Sequence, residues 1–141
     1  MKQYVFIPCV ELEFWLLLST AKQLKVLYPD RKQTLISLSH IRLAGKFEDE
    51  KKHFDEVIEF PWFQPSIKHG LKTFFLSHQF SKLLSQTFPK NSAFICCGFG
   101  QFMHHHILNC LTKKQWHYIN IQLFPSTKQS TLAVFNWRFS F

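Results

Sequence analysis

Carboxylates are missing from more than half of this chain. All nine Asp and Glu residues lie between Glu11 and Glu59, and none follows in the long remainder to Phe141. Eight basic residues do follow: Lys68, Lys72, Lys82, Lys90, Lys113, Lys114, Lys128 and Arg138. The first 59 residues carry nine basic and nine acidic side chains, so the whole formal charge of +8 belongs to the later part. Any side-chain carboxylate used in catalysis must therefore come from the first part. The later helices attract anions such as phosphates, acidic sugars or an anionic membrane surface. A merely basic, solvated face carries the same charge.

Long hydrophobic runs are also lacking. The longest unbroken one early in the chain is Phe14 to Leu18, whereas a membrane span needs about 20 apolar residues. The start, MKQYVFIPC, has one lysine but neither a long apolar segment nor a small-residue cleavage site. It reads as a first strand and not as a secretory signal. The four cysteines, Cys9, Cys96, Cys97 and Cys110, form no C-x-x-C pair, so neither a redox motif nor a zinc knuckle is indicated. They are expected to be reduced and buried in a cytoplasmic protein, with Cys96 and Cys97 on opposite faces of one strand. Only four glycines occur, and G-x-G-x-x-G, G-x-x-x-x-G-K and G-x-S-x-G are all absent. Asp-x-Asp is absent too, which argues against a metal-dependent sugar-nucleotide site built on that motif.

Against these absences stands a hydrophobic content of 46% with seventeen phenylalanines. Such a chain is not disordered, and 141 residues suffice for one domain with a real core. The centre of the pattern is Ser92 to Leu111, SAFICCGFGQFMHHHILNCL. Ala93 to Cys97 reads as a buried strand, Gly98-Phe99-Gly100 as a turn, and Gln101 to Thr112 as a helix. Glycines let a backbone approach a ligand closely, and the first N–H groups of a helix favour anions.

In chain order, Gln3 to Cys9 reads as a strand ended by Pro8. Glu11 to Tyr28 reads as a helix with Trp15, Leu18, Leu24 and Leu27 lining one side and Phe14, Leu17 and Ala21 close to that stripe. Pro29-Asp30 stops it. Gln33 to Ser39 is a second strand, and His40 to Phe54 a polar, partly helical surface connection. Asp55 to Phe60 is a short third strand closed by Pro61. Ser66 to Phe88 is helical, with Phe74, Phe75 and Phe80 expected in the core. Gln115 to Phe124 is a fifth strand, and Thr131 to Phe141 a sixth strand or a helix. Strands alternating with helix-length connections imply an α/β fold: a Rossmann-like open, mainly parallel sheet of five or six strands with helices on both faces.

In this topology the residues just after each strand converge on one rim. They are Glu11 and Glu13 after the first strand, Ser39 and His40 after the second, and Trp62 and Phe63 after the third. Gly98 to Gln101 follow the fourth, with His104 one turn into the next helix, and Ser126 and Thr127 follow the fifth. A carboxylate, a histidine, a glycine turn and aromatic walls suit a polar-sugar or nucleotide pocket. Glu11, if buried at the rim, can serve as general base because burial raises a carboxylate pKa. Its competing role is to stabilise the helix macrodipole. His40 is the other candidate base, and its competing role is plain polar surface. His104, His105 and His106 are splayed by ~100° on a helix and do not bind one metal ion together. Despite the charge, no nucleic-acid-recognition signature is present.

Taken together, YVFIPC with its long helix, FDEVIEFP, SAFICCGFGQFMHHHILNCL and WHYINIQLFP resemble the amino-terminal half of a bacterial two-Rossmann (GT-B type) glycosyltransferase. The enzymes most similar in pattern build polysaccharide and lipopolysaccharide, sialyltransferase-like ones included. The resemblance implies that residues 1–141 form the acceptor domain, with a separate domain binding most of the nucleotide-sugar donor, and that no metal or other cofactor is required. It implies that Glu11, Glu13 and His40 sit where such a base could be, with Glu11 and His40 as the catalytic candidates and Glu13 as a substrate contact, and that Gly98, Gly100 and Gln101 face the interdomain cleft; His104, from the rim topology, is a further expected substrate contact. It further implies a fragment inactive alone; a cytoplasmic location is expected from the cysteines, and peripheral contact with the anionic inner membrane face from the basic charge. On that reading Phe135, Trp137, Phe139 and Phe141 suit a surface awaiting a partner, though they also suit an ordinary final strand. The rival expectations are a non-catalytic Rossmann-like module binding an anionic small molecule or a partner protein, and a small basic protein docking on anionic membranes or nucleic acid.

Overall fold

A computed structural model describes residues 3–38, 47–61, 70–97 and 117–121. Along the chain these form β1 (Gln3–Ile7), α1 (Glu11–Leu27), β2 (Lys32–Leu38), α2 (Glu48–Lys51), β3 (Glu56–Phe60), α3 (Gly70–Thr87), β4 (Ala93–Cys97) and β5 (His117–Ile121). The five described strands make one sheet in the order β3-β2-β1-β4-β5. Every neighbouring pair is parallel, with Val5 opposite Thr34 on one side of β1 and Phe94 on the other.

This order dictates where the helices go. The chain steps outward from β1 to β2 and β3, then returns past β1 to β4 and continues outward in the opposite direction. Right-handed crossovers that reverse direction across a sheet must lie on opposite faces. The two core clusters show this arrangement. Phe14, Leu17, Leu18 and Ala21 of α1 pack with Phe6, Leu35 and Ile95. Phe80 and Leu84 of α3 pack with Val5, Ile7, Ile36, Leu38 and Phe94 on the other face. Covered on both sides, β1 and β4 are buried along their whole length, as strands of parallel sheets are. The fold is therefore an α/β, all-parallel, Rossmann-like sheet.

Several sequence expectations change in detail. The buried stripe of α1 is Phe14-Leu17-Leu18-Ala21, spaced i, i+3, i+4, i+7. Trp15 (41% exposed) and Leu27 (67%) stand outside it, because each lies about one residue step, ~100°, away from that stripe. Phe75 of α3 is likewise exposed, whereas Phe80 is fully buried. The connection after β2 is not wholly surface: Lys51 and Phe54 are buried, Phe54 against Phe6 at 5.5 Å between ring centroids. The side chain of Phe74, the helix expected at Gln101 to Thr112 and the element expected at Thr131 to Phe141 lie outside the described residues.

At the amino end of the sheet, a polar network ties α1 to β2 and β3. Gln33, fully buried, donates from Nε2 to the Ala21 carbonyl at 2.9 Å, and its Oε1 lies 3.2 Å from His53 Nε2. The Gln33 N–H donates to Asp55 Oδ2 at 2.7 Å, and Lys25 Nζ reaches the same carboxylate at 3.2 Å. Partial desolvation pushes the Asp55 carboxyl up, but the Gln33 N–H, the Lys25 ammonium and the His53 ring outweigh it and hold it below the usual carboxylate range.

A candidate ligand rim at the carboxyl ends of β1 and β2

The reversal of strand order falls between β1 and β4. In open α/β sheets a crevice opens there, beyond the carboxyl ends of the strands. From β1 the chain enters this region through Pro8, Cys9 and Val10 and then starts α1. Val10 is the extended N-cap residue and has no side-chain cap. Its carbonyl accepts the first helical hydrogen bond, from Phe14 N–H at 3.1 Å.

Two carboxylates occupy the first turn of α1, and the fold gives them different surroundings. Glu13 is buried, at 3% exposure, and its Oε2 accepts the N–H of Cys9 at 2.6 Å. This is half of a capping box shifted by one residue, since the third helical position reaches back to the backbone just before the cap. Glu13 thereby holds the β1–α1 turn. Glu11, the first residue of α1, is exposed, which corrects the expectation of a carboxylate buried at the rim. Of the other residues expected at the site, His40, Gly98, Gly100, Gln101 and His104 lie outside the described residues. So do Ser39, Trp62, Phe63, Ser126 and Thr127.

Beneath the rim lie Cys9, Cys96 and Cys97, free and buried. Cys96 joins Cys9 in the cluster under α3, while Cys97 belongs to the one under α1, as alternation along β4 requires. Burial, followed by the Glu13 carboxylate and the neighbouring thiols, pushes Cys9 well above the ordinary thiol range. Burial and then Glu13 push Cys96 up to about 12, and Cys97 is raised for the same reasons with Cys96 adding to them. Buried neutral thiols are poor nucleophiles, so these three are packing groups. Among the described residues no group of three or more His, Cys, Asp and Glu side chains is arranged to hold a metal ion.

An aromatic cluster, which the sequence pattern did not single out, flanks the same rim. Phe47 lies just before α2 with φ 56° and ψ 36°, the only non-glycine residue at positive φ among the described residues. Its ring stacks on Phe14 at 5.1 Å and meets Trp15 edge-on at 5.0 Å. Trp15 in turn contacts Phe14 edge-on at 5.7 Å. Alongside, the buried Lys51 ammonium reaches Glu59 at 3.2 Å and Glu48 at 3.6 Å. Ser37, one residue before the end of β2 and opposite Glu59 in register, has a buried hydroxyl with no hydrogen-bond partner among the described residues. Only the exposure of Trp15, had its helix been phased on Phe14, would have drawn attention to this flank from sequence.

The rim thus belongs to a Rossmann-like α/β protein whose first-turn carboxylates and aromatic flank gather at the carboxyl edge of the sheet. No family model matches the chain, and no curated protein or solved structure resembles it closely enough to count as a relative. Among the described residues no helix is long and apolar enough to cross a membrane.

Proposed function

We propose that residues 1–141 are the acceptor-binding domain of a metal-independent glycosyltransferase that moves a sugar from a nucleotide-sugar to a saccharide hydroxyl. The observation that carries this reading is the position of Glu11, which follows the central strand of a parallel sheet after a short turn at its carboxyl edge; it is exposed, so the role rests on reach to a bound hydroxyl and not on burial. A carboxylate there accepts the proton of a bound hydroxyl as that oxygen attacks the donor's anomeric carbon. Charge then builds on the departing nucleotide phosphate, which fixed dipoles and basic groups stabilise. His40, two residues beyond β2 in sequence, is the second candidate for the base. Two carboxylates in the first turn of α1 oppose a phosphate at that helix end, which supports the acceptor, not the donor, as the ligand of this rim.

The test is ligand-observed saturation-transfer NMR on the chain, with neutral oligosaccharides, nucleotide-sugars and inorganic phosphate offered separately. Saturation of saccharide protons, with phosphate failing to displace the sugar, is the expected result. Binding of phosphate or nucleotide with no saccharide bound overturns the reading in favour of a non-catalytic module for anionic small molecules.

A further inference from the structure

We infer that the outward face of α1 is the interface of a homodimer, in which two copies of this helix pack antiparallel about a two-fold axis beside Ser19. The inference concerns a surface the acceptor-domain reading does not use, and it stands or falls independently of that reading.

Among the described residues, α1 is the only helix longer than one turn on its side of the sheet. Its core side carries Phe14, Leu17, Leu18 and Ala21. Its other side, where a surface helix ordinarily places charge, holds no charged residue. Leu12, Trp15, Leu16, Ser19, Gln23 and Val26 follow one another along it, with Leu12 56% and Val26 82% exposed. Thr20 lies beside them and donates its hydroxyl to the Leu16 carbonyl at 3.0 Å. Of the charged residues on α1, Glu13 is buried and Lys25 turns to Asp55, while Glu11 and Lys22 border the face on one side. The helix on the opposite side of the sheet differs, with Lys72, His78 and Lys82 all exposed. A contiguous exposed face with apolar ends and no charge has the composition of an interface centre.

The order of its residues says what covers it. At ~100° per residue, Leu12, Ser19 and Val26 fall within ~20° of one line along the helix. Leu12 and Val26 stand seven residues to either side of Ser19, so the face reads alike from both ends: apolar, small, apolar. Such a surface complements itself under a two-fold axis, as the isologous interface of a dimer requires. Antiparallel pairing sets Leu12 against Val26 of the partner subunit. It sets Ser19 against its own copy, where the small side chain lets the helix axes approach to ~8 Å. The two helix dipoles then run in opposite directions, and no charge meets a like charge. An anionic membrane or a nucleic acid finds no cation within this face, whereas a second copy finds its own complement. A helix pair ~25 Å long covers less than the ~800 Å² per partner of a standard interface, so association is weak and concentration-dependent.

Sedimentation velocity of the chain from about 5 to 500 µM tests the dimer, with wild type, Ser19→Lys and Val26→Glu each shown to be folded by a thermal melt. Wild type should pass from monomer to dimer mass across that range. Both variants should weaken association at least ~10-fold, one by setting like charges together at the axis and the other by setting a charge on Leu12. Cross-linking with copper phenanthroline reads the orientation. Ser19→Cys should give a disulfide-linked dimer that dithiothreitol reverses and wild type does not form. Leu12→Cys and Val26→Cys should cross-link when mixed and not when either is alone, because only the mixed pair brings two thiols within disulfide reach. Wild type that stays monomeric throughout overturns the inference. A dimer that survives both charged substitutions, or a mixed pair that fails to cross-link, overturns it as well. None of these outcomes bears on sugar binding, which the saturation-transfer measurement reads separately.

Discussion

The carboxylate of Glu13 holds the backbone N–H of Cys9 at 2.6 Å, with both residues buried. One hydrogen bond therefore fixes the path by which the central strand turns into its helix, directly under the proposed ligand rim. Glu13→Ala leaves a buried N–H without an acceptor and should cost about 2 kcal/mol. Glu13→Gln keeps an acceptor oxygen and should cost less. Urea unfolding midpoints of the two variants give the comparison, and equal midpoints would show that the bond contributes nothing.

The three buried thiols should be slow to react. With burial holding Cys9, Cys96 and Cys97 in the neutral form, iodoacetamide at pH 8 is expected to leave all three unmodified in native protein. It should label them fully in guanidinium. Peptide mapping by mass spectrometry reads each site, and rapid native labelling of Cys96 would contradict its burial.

Phe47 offers a test of strain against packing. Both Phe47→Ala and Phe47→Gly remove the ring contacts with Phe14 and Trp15, so both should be less stable than wild type. Glycine, however, has no Cβ to oppose positive φ. Phe47→Gly is expected to exceed Phe47→Ala by ~1 kcal/mol, despite the extra freedom glycine gives the unfolded chain. The reverse order in calorimetric melts would mean that residue 47 is not left-handed in solution.

The Asp55 network sets an acid limb of stability. The folded carboxyl titrates below its ordinary value, so its contribution is complete above the unfolded pKa of about 3.9 and disappears as pH falls through the lower, folded value. Because Lys25 and Asp55 are both about a third or more exposed, solvent screening limits the pair to roughly 0.5–1 kcal/mol. Asp55→Asn should therefore melt a few degrees lower at pH 7 and approach wild type as pH falls through the lowered, folded value of the carboxyl. A deficit that persists unchanged at low pH would assign the loss to geometry instead of charge.

The framework of this fold was legible because strands of a parallel sheet leave strong marks. Ala93 to Cys97 is an apolar run bounded by polar and glycine residues, and it occupies β4 from end to end. Pro8, Pro29 and Pro61 punctuate the elements they follow. Faces were harder to read than elements. In α1, apolar residues cover Phe14 to Leu18 without a gap, so the sequence alone permits more than one phase. Contact with Phe6, Leu35 and Ile95 selects the one that leaves Trp15 outside. Glu11 and Glu13 look alike in sequence, and only the turn at Cys9 separates an inward carboxylate from an outward one. Phe47 carried no signal, because its left-handed backbone and aromatic neighbours depend on residues far away in the chain.

Strand order also has a consequence in time. β1 precedes the other described strands along the chain, and it ends up in the middle of the sheet. Its β2 neighbour follows after one helix, but its other neighbour, β4, is much later: Gln3 meets Ser92 across 89 positions. At ribosomal rates of about 5–20 residues per second, one edge of the central strand waits roughly 4–18 s for its partner. During that interval a largely apolar strand, QYVFI, presents unpaired backbone, the state most open to adhesion between nascent chains. The demand this fold places on the cell is therefore shelter during synthesis, and slowing translation between β3 and β4 should lower the yield of folded protein.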